Sequence, residues 1–174
     1  KKIALYCNVG EDCVFDDPTL RTIYELPLIL EGQGIYKVIA GKLGLDSNKE
    51  ADLKEWKNKV QRIVNPKKEK LHIAVVGKYT AVKDAYISVK EALIHGAAAI
   101  DHGLEIDWVE ASDLEKTDDI SGVLGRYHGI LVPGGFGERG IEGKIKAINY
   151  ARENRKAYLG LCLGLQLMVV EYAR

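Results

Sequence analysis

The sequence predicts an α/β protein whose main part is a doubly wound, mostly parallel sheet, preceded by the tail of a second α/β domain. From residue 71 onward, short apolar runs typical of buried strands alternate with longer segments of helical periodicity. Two of these runs end in glycine-containing turns, at the edge where an open parallel sheet binds its ligands. Alternation of this kind favours a parallel sheet with helices on both faces.

The pattern after residue 71 divides into four strands and three helices. Strands are predicted, from short apolar or alternating runs, at residues 71–76, 104–109, 129–132 and 157–161. Helices are predicted at about residues 84–101, 141–154 and 163–172. The first helix would end before Gly103 and would present one apolar face, formed by Ala85, Val89, Ala92, Leu93 and Ala97.

The first 70 residues have a different pattern. A short strand is predicted at residues 3–7, a proline-interrupted apolar stretch covers 23–30, and a short helix is predicted at 34–43. Residues 46–70 are highly charged, with Trp56, Val60 and Ile63 at helical spacing, which is typical of a solvated linker helix. We therefore expect residues 1–45 to end one domain, 46–70 to form a linker, and 71–174 to begin another domain.

Composition excludes several classes of protein. The 174 residues carry no formal net charge and are 47% hydrophobic, which fits a globular protein and gives no basic surface for nucleic acid or an anionic membrane. No apolar run approaches the ~20 residues that cross a bilayer. Three cysteines without regular spacing argue against a disulfide framework, so we expect a cytoplasmic protein without nucleic-acid or membrane partners.

The strand predicted at 157–161 runs directly into Gly-Leu-Cys-Leu-Gly at 160–164, and a helix is predicted to follow. This is the nucleophile-elbow pattern with cysteine in place of serine, in which a sharp turn lifts one side chain clear of the sheet. A cysteine at a helix N-terminus is favoured as the thiolate, the form that attacks a carbonyl. Cys162 is therefore a candidate catalytic nucleophile.

A thiolate attacking a carbonyl also needs backbone N–H groups that stabilise the oxyanion. The N–H of Leu163, next to the nucleophile, is one candidate donor, and the turn Pro-Gly-Gly-Phe-Gly at 133–137 is the candidate for the other. Both segments follow predicted strands and belong to the same edge of the sheet. Gln166 lies one helical turn after Cys162 and is a candidate to hydrogen-bond a substrate amide or carboxylate.

A general base for Cys162 is not predicted in this chain. His72 and His128 fall at the amino ends of their predicted strands, His95 falls within a helix, and His102 falls at that helix's end. None of these positions lies at the nucleophile's edge of the sheet. No metal ligand set is predicted either, because Cys7 and Cys13 have a poor spacing for a tetrahedral site.

Two longer segments are Pro-Gly-Gly-Phe-Gly-Glu-Arg-Gly at 133–140 and Tyr-Leu-Gly-Leu-Cys-Leu-Gly-Leu-Gln at 158–166. Together they resemble the glutaminase domain of class I glutamine amidotransferases. Gly-Lys-Tyr at 77–79 and Asp-Ala-Tyr-Ile-Ser-Val at 84–89 extend the likeness to CTP synthases. Upstream, Ile-Tyr-Glu-Leu-Pro-Leu at 23–28 and Glu-Gly-Gln-Gly at 31–34 resemble the end of that family's synthetase domain.

The resemblance implies a ligase that makes CTP from UTP, ATP and the ammonia of glutamine. It implies that Cys162 forms a glutamyl thioester and that Gly135 and Leu163 supply the oxyanion N–H groups. The glutamine contacts that it implies are Gly134, Leu163, Gly164, Leu165 and Gln166. It also implies a GTP activator near Phe136, the ATP adenine near Pro18, Thr19 and Leu20, Mg²⁺ in the full enzyme, feedback inhibition by CTP, and a tetramer.

The resemblance also implies parts that this sequence does not contain. The family's catalytic His and Glu are expected beyond Arg174, and its phosphate loop and magnesium carboxylates before Lys1, so the chain alone is expected to be inactive. Two alternatives stay open: another triad-type amidotransferase, against which the synthetase-like upstream segments argue, and a catalytically incomplete module that binds nucleotide or mediates assembly. A cysteine hydrolase of the same fold is disfavoured, because such enzymes usually carry His directly after the nucleophile, where this chain has Leu163.

Overall fold

The computed structural model describes residues 1–46, 51–78 and 84–174. These residues form two compact units, Lys1–Asn65 and Pro66–Arg174. The predicted linker extends over residues 47–50 and the predicted Gly-Lys-Tyr motif over residue 79, and those positions lie outside the described residues. No described helix is long and apolar enough to cross a membrane.

The regular secondary structure in the described residues of the first unit is all helical. Its helices are α1 (Lys2–Cys7), α2 (Leu26–Gly32), α3 (Ile35–Lys42) and α4 (Lys54–Val64), with 3₁₀ turns at Glu11–Cys13 and Ile23–Glu25. The strand predicted at 3–7 is wrong, because this run closes helical hydrogen bonds and ends at Asn8 in the left-handed conformation. An apolar run this short fits either a helix or a buried strand, and its periodicity does not separate the two.

Two other features of the first unit follow from the sequence. Pro27 lies in the first turn of α2, where its missing N–H has no intrahelical acceptor to lose, so it starts a helix instead of interrupting one. The helix predicted from Trp56, Val60 and Ile63 forms as α4. Trp56 packs edge-to-face on Tyr24, and its indole N–H donates to the Tyr24 carbonyl at 2.9 Å.

The second unit is built on a four-stranded sheet with the order β2-β1-β3-β4, in which the paired strands are parallel. The strands are β1 (Lys68–Gly77), β2 (His102–Glu110), β3 (Gly129–Val132) and β4 (Ala157–Gly160). The helices are α5 (Ile87–Ala99), α6 (Ala111–Lys116), α7 (Ile120–Leu124), α8 (Ile141–Glu153) and α9 (Leu163–Ala173). The predicted parallel α/β sheet is therefore confirmed.

Three boundaries in this unit differ from the prediction. β1 begins at Lys68, so His72 lies within the strand and not at its amino end. α5 ends at Ala99, and the chain reverses at Asp101 in the left-handed conformation, so Gly103 and His102 belong to β2. The helices α6 and α7, which have six and five residues, were not predicted from the sequence.

The core of the second unit lies between the sheet and α6, α8 and α9. Its central side chains come from β1 and β3 and are covered by Ile148 of α8 and Leu167 of α9. α8 approaches α6 so closely that a Cβ at Gly143 would overlap the carbonyl oxygen of Ala111. A glycine in the first turn of α8 is therefore what allows the two helices to meet.

We expect Gly143→Ala to lower the free energy of unfolding by about 1–3 kcal/mol, because the added methyl group must displace backbone. Gly96→Ala is the matched control, since Gly96 is an exposed helical glycine with nothing within 4 Å of its Cβ position. The control should raise stability by about 0.5–1 kcal/mol. Urea unfolding of both variants measures the difference, and equal effects would contradict the proposed close approach.

Candidate active site

Cys162 lies at the junction between β4 and α9, at the carboxyl end of the sheet. Its backbone has φ 53° and ψ −109°, a conformation that costs a non-glycine residue energy and recurs at nucleophile elbows. The thiol is exposed. The structure therefore presents Cys162 in the way that the sequence pattern predicts for a nucleophile.

Close backbone contacts leave no room for a side chain at Gly160 or Gly164, the two glycines of the elbow. A Cβ on Gly160 would lie 2.6 Å from the carbonyl carbon of Gly164. A Cβ on Gly164 would overlap the carbonyl oxygen of Val132, the last residue of β3. In this elbow the unusual φ belongs to Cys162 itself, and the glycines allow α9 to begin directly against the sheet.

Hydrogen bonds fix the first turn of α9 on the strands. Leu161 N–H donates to the Val132 carbonyl at 2.9 Å, which extends the β3–β4 ladder by one residue. The Tyr158 hydroxyl donates to the Gly164 carbonyl at 2.8 Å, and burial raises the pKa of Tyr158 to about 12. Tyr158 thus stays a neutral donor across the physiological range and holds the helix to its own strand.

The C-terminal end of α9 is fixed by a charged pair with α8. The buried carboxylate of Glu171 accepts from Asn149 Nδ2 at 2.8 Å and from Arg152 Nε and a terminal guanidinium nitrogen at 3.0 Å. The bonds from Arg152 lower the pKa of Glu171, and burial opposes them. Both ends of α9 are therefore attached to neighbouring elements.

The turn after β3 lies beside the nucleophile, as the sequence predicts. A Cβ on Gly134 would lie 3.4 Å from Cys162 Cβ and 3.8 Å from its Sγ. A Cβ on Gly135 would lie 3.8 Å from a terminal methyl of Leu163. Leu163 is the first residue of α9, a position where helical geometry leaves the N–H without an intrahelical acceptor. The structure thus brings together the predicted nucleophile and both predicted oxyanion segments.

Two basic side chains that sequence reasoning missed hold this turn in place. Lys78 directly follows β1 and is buried, and its Nζ donates to the carbonyls of Phe136 and Gly137, both at 2.6 Å. Arg139 donates to the Lys78 carbonyl at 2.7 Å. The sequence signal that could have indicated this role is a lysine placed directly after a buried strand, because its charge needs hydrogen-bond partners at the carboxyl edge of the sheet.

A third basic side chain, Lys144, lies under the same turn. It is the largest fully buried side chain among the described residues. Its Nζ has no hydrogen-bond partner within the described part of the chain. Burial lowers the pKa of Lys144, the ammonium of Lys78 lowers it further, and the carboxylate of Glu110 opposes both. The sequence signal for the burial of Lys144 is helical spacing, which places it on the same face of α8 as Ile141, Ile145 and Ile148.

The predicted glutamine contacts occupy different environments. Gly164 is buried, and its N–H donates to the Leu161 carbonyl at 3.0 Å. Leu165 and Gln166 are exposed, and Gln166 N–H donates to the Cys162 carbonyl at 3.1 Å, which places it one turn along the helix. Phe136, predicted near GTP, is 89% exposed at the tip of the turn. Their roles in binding stay predictions.

The four histidines lie away from Cys162. His128 precedes β3, and its Nδ1 accepts from the backbone N–H of His72 at 3.0 Å, at the end of β3 opposite to the elbow. His102 begins β2 at its amino end, and His95 lies nine residues into α5. Within the described residues, no histidine is therefore placed to take the thiol proton.

The residues predicted near the ATP adenine belong to the first unit. Pro18 and Thr19 are exposed and Leu20 is half-buried, in an irregular segment between the two 3₁₀ turns. That segment is tied to Gln33, whose side chain exchanges two hydrogen bonds with the backbone of Asp16. No group of three metal-ligating side chains occurs among the residues that the structure describes.

The model of the class I glutamine amidotransferase family matches residues 81–174, which is more than half of the chain. With the elbow and the facing turn, this match shows that the chain belongs to the class I glutamine amidotransferase family. Comparison with individual relatives is more specific, and the relatives compared below are CTP synthases.

The CTP synthase of Methanococcus aeolicus is 48% identical over 100% of this chain, and that of Sulfolobus acidocaldarius is 51% identical, also over 100%. The chain spans about a third of the length of these relatives, 33% and 32% respectively. A solved structure described as the Trypanosoma brucei CTPS glutaminase domain with bound acivicin is 40% identical, with a TM-score of 0.56. That match covers 60% of this chain and 40% of the solved one.

We expect the attachment of α9 to weaken in acid. The pKa of Glu171 is lower in the folded state than in the unfolded state. Its ion pair with Arg152 therefore stabilises the fold fully at pH values above the unfolded-state pKa of about 4.3, and this stabilisation is lost as the pH falls through the folded-state pKa. Glu171→Gln should therefore remove part of the pH dependence of unfolding in that range. Unfolding curves between pH 7 and pH 3 measure this, and parallel profiles for wild type and variant would contradict it.

Proposed function

We propose that this chain carries the glutaminase nucleophile and oxyanion turn of a glutamine-dependent CTP synthase. The observation that carries the proposal is the exposed thiol of Cys162, held at a strained elbow with the backbone of Gly134 against it. The identity to CTP synthases over the whole chain supports the choice among amidotransferases.

In the proposed reaction, the Cys162 thiolate attacks the side-chain amide carbon of glutamine. The N–H groups of Gly135 and Leu163 stabilise the oxyanion of the tetrahedral intermediate. Loss of ammonia leaves a glutamyl thioester, and water then releases glutamate and restores the thiol. A general base must take the thiol proton and a general acid must protonate the leaving amine. By the family resemblance these are a histidine and its glutamate partner outside the described residues.

The synthetase half of the reaction is proposed for the longer enzyme. There ATP would phosphorylate the uracil 4-oxygen of UTP, and the ammonia would displace phosphate to give CTP. The family resemblance supports a site for the ATP adenine near Pro18, Thr19 and Leu20, a GTP site near Phe136, inhibition by CTP, and a homotetramer. Glutamine would be held by Gly134, Leu163, Gly164, Leu165 and Gln166.

We expect Cys162→Ala in the full-length enzyme to abolish glutamine hydrolysis and glutamine-dependent CTP formation, because no other thiol lies at the elbow. CTP formation from added ammonium should continue at the wild-type rate, since it bypasses the thioester. The matched control is Cys7→Ala, which removes an exposed thiol of α1 in the first unit.

Glutamate release and CTP absorbance together measure these outcomes. Glutamine hydrolysis that persists in Cys162→Ala would reject the catalytic assignment and favour a module that only binds nucleotide or mediates assembly. The chain of 174 residues by itself should release glutamate no faster than background, because no histidine in the described part of the chain lies at the elbow.

A further inference from the structure

Lys144 is a buried amine that the proposed reaction has not used. Its side chain is 0% exposed, and its Nζ has no hydrogen-bond partner among the described residues. A buried, unpaired polar group is costly, and native proteins leave few of them without a functional reason. A nonpolar side chain of the same length would fill this space without that cost.

The position of the amine relates it to the oxyanion turn. A Cβ on Gly135 would lie 3.4 Å from Lys144 Nζ and 3.8 Å from the side chain of Leu163. These are the two residues whose N–H groups are proposed to stabilise the oxyanion. Lys144 lies in the first turn of α8, and its own N–H donates to the Gly140 carbonyl at 3.1 Å, which fixes its backbone. The amine thus lies directly beneath the turn.

The electrostatic surroundings make a positive charge on Lys144 unfavourable at rest. The charged groups that act on it are Lys78, from the end of β1, and Glu110, from the end of β2. Lys78 repels it, and so does the partial positive charge at the N-terminus of α8. The carboxylate of Glu110 opposes this repulsion. An anion that forms on the far side of Gly135 would add a second attractive charge close to the ammonium.

We propose that Lys144 is a positioning residue whose ammonium, acting through the backbone of Gly135, stabilises the oxyanion formed when Cys162 attacks glutamine. The role rests on the proposed glutaminase function. Because the amine is fully buried, it acts on the charge that develops in the transition state and makes no contact with bound glutamine. It therefore contributes to kcat and leaves KM unchanged.

The test is Lys144→Met in the full-length enzyme, which keeps the length of the side chain and removes the charge. We expect kcat for glutamine hydrolysis to fall about tenfold with KM unchanged. CTP formation from ammonium should be unaffected. The matched control is Lys146→Met on the same helix, whose Nζ donates to the Glu115 and Thr117 carbonyls and should leave kcat at the wild-type value.

Stability gives a second readout that a structural role would not produce. The pKa of Lys144 is lower in the folded state than in the unfolded state. Burying its charge therefore destabilises the fold fully at pH values below the folded-state pKa, and this destabilisation disappears as the pH rises through the unfolded-state pKa of about 10.4. Lys144→Met should therefore be at least as stable as wild type at pH 7, with the difference shrinking toward pH 10. Deprotonation of Lys144 at alkaline pH should also lower kcat of the wild-type enzyme, and this fall should be absent from Lys144→Met.

A kcat within about twofold of wild type would overturn the proposal. A joint loss of stability and of ammonium-dependent synthesis would also overturn it, because Lys144 would then be a packing residue. If Lys144→Met fails to fold, Lys144→Gln makes the same comparison with a neutral polar group. Cys162→Ala in the same assays separates the two hypotheses. Hydrolysis that survives in Cys162→Ala rejects the glutaminase function, whereas a dead Cys162→Ala with an unchanged Lys144→Met rejects only the role of Lys144.

Discussion

One carbonyl, that of Val132, is the point from which the site is built. It accepts the N–H of Leu161 at 2.9 Å, which closes the β3–β4 ladder, and the backbone of Gly164 lies directly against it. The chain also leaves β3 at this residue to form the turn that contains Gly134. The Val132 carbonyl therefore fixes the positions of both α9 and the turn at 133–137. Any larger residue at position 164 would separate them.

The turn itself is a backbone device supported by buried charge. Its outer surface is formed by glycines and by the exposed ring of Phe136, whereas its inner surface rests on Lys78 and Lys144. The two amines differ in an informative way. The amine of Lys78 is satisfied by two carbonyls and fixes the shape of the turn. The amine of Lys144 has no hydrogen-bond partner among the described residues. A buried charge without a partner lowers the stability of the fold, which is a common compromise at functional sites.

Much of this arrangement could be read from the sequence, because the relevant signals are local. The strand β3 and the elbow at Cys162 follow from apolar runs and glycine spacing, which report on a few neighbouring residues. The parts that could not be predicted depend on distant partners. α1 was expected to be a strand, since five apolar residues carry no period. Likewise, helical spacing places Lys144 on the apolar face of α8, but the approach of its amine to Gly135 depends on where the sheet places the turn after β3.

The bond from Tyr158 to Gly164 has a consequence for the order of folding. It closes over six residues, whereas the pairing of β1 with β3 joins residues 56 apart, such as Ile73 and Gly129. Short closures lose little chain entropy and form quickly, and long parallel pairings are slow. The segment around the nucleophile can therefore take its local shape early. The turn that faces Cys162 reaches it only through the longer-range pairing of β3 with β4, in which Gly129 lies opposite Ala157, so we expect the proposed oxyanion site to assemble after the elbow has formed.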